Sequence, residues 1–103
     1  MIVSGKPEKV WENSVIEFFI HKADDNSIWF HHNLKVPLSK RVAKEVPEYL
    51  MMFAEEVKFA FNVDKIYSWC PTDKVLKWAE FNGCLLCGEI NIEGNTFPVV
   101  EYK

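Results

Sequence analysis

The chain has 103 residues, 49% hydrophobic and 15% aromatic, and carries a formal net charge of −3 at pH 7. That length and composition suit one packed domain and exclude a disordered chain. The negative balance lacks the long-range field that gathers nucleic acid, and no apolar run approaches the roughly 20 residues that span a bilayer, so neither is an expected partner.

The opening MIVSGKPEKVWE lacks the basic-then-apolar order of a signal peptide, and residues 1–14 read as a lead segment of a cytoplasmic protein. Val15 to Lys22 and Ile28 to Val36 are rich in aromatic and β-branched residues, and the ADDNS between them is turn chemistry. Residues 15–36 therefore predict a hairpin. Alternation places Ile16, Phe18 and Ile20 on one face of the first strand, and Ile28, Phe30, His32, Leu34 and Val36 on one face of the second.

Beyond Pro37, helix formers continue to Asn62, with Leu50, Phe53, Ala54, Val57 and Phe61 at helical spacing. Pro47 implies either a kinked helix or a short piece from Ser39 to Glu45 followed by a second helix. Lys65 to Cys70 reads as a short strand, Thr72 as an N-cap, and Asp73 to Asn82 as a helix of about three turns that Gly83 ends. Cys84 to Ile92 and Phe97 to Tyr102 form a second hairpin around Glu93-Gly94-Asn95.

Cys84 and Cys87 have the C-x-x-C spacing of a zinc knuckle. On a strand, however, residues three apart point to opposite faces, and Cys70, His21, His31 and His32 form no second close-spaced pair of a known type. Three cysteines in a chain with this much core read as reduced structural thiols, and no metal is expected.

From Ile28 onward, the order of strand, long helix, strand, short helix and closing hairpin resembles the second half of the GNAT N-acetyltransferase fold. PTDKVLKWAEFNGCLLCGEI is similar to that family's last motif, with Thr72-Asp73 at the capping place, Asn82-Gly83-Cys84 at the Leu-Gly-Phe place, and Gly88 at the following glycine. Ile28-Trp29-Phe30, Ser39-Lys40-Arg41 and Ile66-Tyr67-Ser68-Trp69 resemble segments of the small GNAT-like proteins of short-tailed bacteriophages. The resemblance implies an α/β domain: a truncated GNAT-like mixed sheet with one long and one short helix, residues 37–103 supplying helix, strand, helix and hairpin. It also implies that Ile28 to Val36 and Lys65 to Cys70 are parallel neighbours that diverge at one end. The cytoplasmic setting becomes that of a host cell, or a virion.

The resemblance further implies acetyl-CoA as cofactor, held by Leu34, Val36, Ser39, Lys40, Arg41, Thr72 and Asp73. Such a site relies on helix N-terminal amides and small residues for close approach to phosphate. The corresponding VPLSKRVAKEV contains no glycine, and Ala79 occupies the place of the family's acidic Tyr, for which Tyr67 or Tyr49 are the substitutes on offer. His31 and His32 are the candidate bases, His32 on the apolar face being the sharper choice, against the reading of a hydrogen-bonded core histidine. Aromatic residues exceed what one core of this size must hide, so Trp78, Phe81, Met51 and Met52 are the expected interaction surface. The implied function is a weakly or non-catalytic interaction or assembly module that binds a protein partner or itself. The alternative is an acetyl-CoA-dependent N-acetyltransferase acting on a protein or small amine.

Overall fold

The computed structural model describes residues 7–102. Residues 1–6 of the expected lead segment lie outside the described residues. In chain order the elements are β1 (Glu8–Glu12), β2 (Ile16–Lys22), β3 (Ile28–Leu34), α1 (Lys40–Phe61), β4 (Ile66–Trp69), α2 (Asp73–Phe81), β5 (Leu85–Ile92) and β6 (Asn95–Tyr102). They build a mixed α/β domain around one six-stranded sheet in the order β1-β2-β3-β4-β6-β5. Strands β3 and β4 run parallel, and every other neighbouring pair is antiparallel.

Turn chemistry sets both hairpins. Between β2 and β3, Asp25 accepts the backbone N–H of Ser27, and Asn26 takes the left-handed conformation at φ 68°. Between β5 and β6, Glu93 and Gly94 both have positive φ, 52° and 85°, the combination of a two-residue type I′ turn whose twist matches the strands it joins. Gly83 sits at φ 87° just beyond α2, where a side chain would be strained.

The core follows the alternation of the strands. Ile16, Phe18, Ile28 and Phe30 are buried against Val42, Val46, Leu50, Ala54 and Val57 of α1, which recur every three or four residues along that helix. Ala79 and Trp78 of α2 join the same cluster, so both helices cover one face of the sheet. The opposite face carries a second cluster, in which Trp29, Ile90 and Val99 are buried and Tyr67, Trp69 and Phe97 are half-buried.

Three expectations need correction. The helix runs unbroken through Pro47 for 22 residues, so no separate piece ends at Glu45. Burial of the α1 stripe against the sheet outweighs the single hydrogen bond that Pro47 cannot donate. Phe61 is 43% exposed and stands outside the buried core. Part of the lead segment is itself a strand: β1 is held by Lys9 on Glu17 at 3.0 Å, by Glu12 on Lys35 at 2.9 Å, and by the Trp11 ring 4.7 Å from that of Phe53.

Candidate functional site: a cleft between β3, β4 and α2

The parallel pair is in register at Trp29 opposite Tyr67. A cleft of about 510 Å³ opens beyond that point, walled by His31, His32 and Leu34 of β3, Ser68 and Trp69 at the end of β4, and Trp78 of α2. Thr72 places the last of these: its hydroxyl accepts the Val75 N–H at 3.2 Å, starting α2 so that Val75 and Trp78, three residues apart, reach the same opening.

The Trp78 indole donates its Nε1–H to His32 Nε2 across 2.8 Å. An indole N–H is a donor only, so His32 Nε2 is an acceptor and the ring proton sits on Nδ1. Burial holds His32 well below the ordinary imidazole range, at about 4, so the ring is neutral at pH 7. His31 has Nδ1 3.1 Å from the Ser68 hydroxyl and sets its ring edge-on to Trp69, centroids 4.4 Å apart. Burial, then the neighbouring His21 and His32, push His31 down to about 4 as well.

Burial pushes the Tyr102 hydroxyl upward, and the neighbouring Ser68 side chain offsets this only in part, so the phenol stays protonated. Cys70 is raised to about 11, by burial and then by Glu80. The polar groups of this mainly apolar cleft are largely uncharged: imidazole, hydroxyl, indole and thiol all stand in their neutral forms, and Lys74 is the one charged side chain on the described lining.

That arrangement limits proton transfer. The basic lone pair of His32 is engaged by Trp78, so this imidazole can act as a base only by releasing the indole. Tyr102 is the phenol that lines the cleft, whereas Tyr67 lies beside Trp29 on the opposite sheet face and Tyr49 packs near Trp11.

Among the residues expected to hold a cofactor, Leu34 lines the cleft and Val36 packs against the core. The Ser39 hydroxyl accepts the Val42 N–H as the cap of α1, and Arg41, largely exposed, pairs through Nε with Glu45 at 3.0 Å. Lys40 is exposed at the first turn. Thr72 caps α2, and Asp73 stands in its first turn. The expected interaction residues divide between two helices. Met51 and Met52 are exposed on α1, and Phe81 is 63% exposed on α2, stacked at 5.6 Å on a Trp78 that is itself half-buried and turned to the cleft.

Cys84 is buried and Cys87 exposed, so the pair does not converge, and no group of three or more His, Cys, Asp or Glu among the described residues is placed to hold a metal ion. No described helix is long and apolar enough to cross a membrane. Ser68 and Tyr102 were missed as site residues. The signal for Ser68 was a small hydroxyl between two inward positions, Ile66 and Cys70. Compared with protein-family models, curated proteins and solved structures, the chain matches none.

Proposed function

We propose that this chain is a GNAT-like domain working as a weakly or non-catalytic interaction module. The observation that carries the reading is the Trp78-to-His32 bond, which occupies the lone pair a transferase would use as its base. The start of α1 supports it, since residues 36–46 contain no glycine to let a phosphate approach the helix amides closely. The docking surface is the outer end of α2 and the start of β5, where Phe81, Leu85 and Leu86 leave large apolar side chains in solvent within six residues of chain.

Sedimentation and an acetyl-transfer assay test this together. The expected result is association that Phe81→Asp abolishes, with no transfer from acetyl-CoA to amines above background. A monomer that Phe81→Asp leaves unchanged, or turnover that depends on His32, overturns it.

The acetyltransferase reading keeps one specific support, the cleft lined by β3, β4 and α2. Acetyl-CoA at 100 times its Kd would raise stability by about 2.7 kcal/mol, which a thermal scan resolves. No shift at millimolar ligand removes that second reading.

A further inference from the structure

The cleft wall differs in charge from the chain around it, whether or not the end of α2 docks a partner. The chain as a whole carries a formal net charge of −3. Yet no carboxylate is among the described lining residues, and the one ionised side chain there is the cation Lys74. Asp73 and Glu80, the acidic residues of α2, lie off that lining. Burial keeps His31 and His32 neutral at pH 7, so neither adds a second charge. Lys74 is exposed in the first turn of α2 and makes no ion pair among the described residues. A lysine that both lines a cleft and reaches solvent lays its stem on the wall and holds its ammonium at the mouth.

The rest of the wall sets what the charge is attached to. Leu38 is 58% exposed and Val75 38% exposed, so two aliphatic side chains on the lining stand partly in water, and Trp78 is half-buried beside them. An apolar body laid along these three would take them out of solvent. The volume of about 510 Å³ lies within the roughly 300–1,000 Å³ of pockets that take small molecules. Neither glycine nor arginine is among the described lining residues, so a phosphate would find no close backbone approach and no guanidinium fork. One ammonium matches one negative charge. We propose that the cleft binds a small organic monoanion, its carboxylate at Lys74 and its apolar body along Leu38, Val75 and Trp78.

Phenylbutyrate, phenylbutanol and phenylbutylamine are matched probes of this site, with one apolar body and a negative, neutral or positive end. The whole chain is titrated with each while the Trp78 indole N–H signal is followed by NMR. Phenylbutyrate is expected to give saturable shifts, with a Kd about fivefold below that of the alcohol, the gain of one exposed ion pair, and further still below that of the amine. Lys74→Glu, at an exposed position, is expected to reverse the order and make the amine the tightest binder. Lys22→Glu makes the same change in net charge at the end of β2 paired with Ile28, off the lining, and is expected to leave the order as it was. Should Lys74→Glu fail to fold, Lys74→Gln takes its place and is expected to bring acid and alcohol level. Equal binding of the three probes by the unmodified chain overturns the proposal, as does an order that the Lys74 variants leave unchanged or that Lys22→Glu reverses too. So does the absence of saturation at several times the roughly millimolar Kd that a ligand this small reaches. Any of these failures leaves the sedimentation result for Phe81→Asp untouched, so the two readings fall separately.

Discussion

Trp78 and His32, 46 positions apart in the chain, are tied by a 2.8 Å hydrogen bond that fixes which imidazole nitrogen holds the proton. Trp78→Phe keeps an aromatic ring in the cluster, though a smaller one, and removes the donor. The buried Nε2 is then left without its partner, at an expected cost of about 1–2 kcal/mol in a urea titration. Because the lost bond favoured the neutral ring, His32 should also titrate at higher pH by NMR. An unchanged midpoint together with an unchanged titration would show that the bond does not form in solution.

The same two imidazoles make the fold acid-sensitive in a defined window. Both have folded-state values near 4, below the 6.5 of an unperturbed imidazole, so the unfolded chain takes up protons first as pH falls. Stability is therefore complete above about pH 6.5 and declines toward pH 4, by roughly 3 kcal/mol for each ring over the full interval. Domains of this kind commonly have about 5–15 kcal/mol in all, so two such rings suffice to bring acid unfolding into this range. Urea midpoints at pH 7 and pH 5 check it, and a flat profile between them would contradict the burial of both rings.

Thiol chemistry separates the three cysteines. Cys70 and Cys84 are buried, with burial pushing them up to about 11 and about 12, so neither offers a thiolate at neutral pH. Cys87 is exposed, although partial burial and Glu101 also raise it. A disulfide-exchange reagent should label one thiol in the native protein, faster at pH 9 than at pH 7, and all three in denaturant. Native labelling of two would show that the corner between α2 and β5 opens.

Pro47 lies in the interior of α1 and cannot donate to the carbonyl four residues back, that of Ala43. Pro47→Ala restores that bond, and the more flexible unfolded chain takes back part of the gain. A net increase of about 1–2 kcal/mol in urea is expected, and destabilisation would mean that the ring itself packs a contact the core needs.

The strands and the second helix were legible because their signals are local. Thr72 caps α2, Gly83 and Asn62 take the left-handed φ that ends a helix, and Glu93-Gly94 turns the last hairpin, each within a few residues of the element it defines. What stayed hidden depends on contacts far along the chain. Strand β1 carries Glu8, Lys9 and Glu12 and shows little apolar alternation. It becomes a strand because Glu17 and Lys35 neutralise its charges and Trp11 finds Phe18 and Phe53. Pro47 left a kinked helix and two separate helices both open, and tertiary burial keeps one helix there. At the site, His32 stood out as an imidazole on an apolar face, but its engaged nitrogen depends on Trp78, which the excess of aromatic residues had assigned to the outer surface. Ser68 and Tyr102 joined the cleft only once the β3–β4–β6 pairing had set their neighbours.

Register slips occur in both outermost ladders, between Lys9 and Trp11 at one border and between Leu86 and Gly88 at the other. A regular border is a template on which further chains can stack into ribbons and eventually fibrils, whereas an extra residue bends the strand and spoils the match. Concentrated solutions of this protein should therefore stay free of fibrillar deposit, despite the two leucines bared along one of those borders.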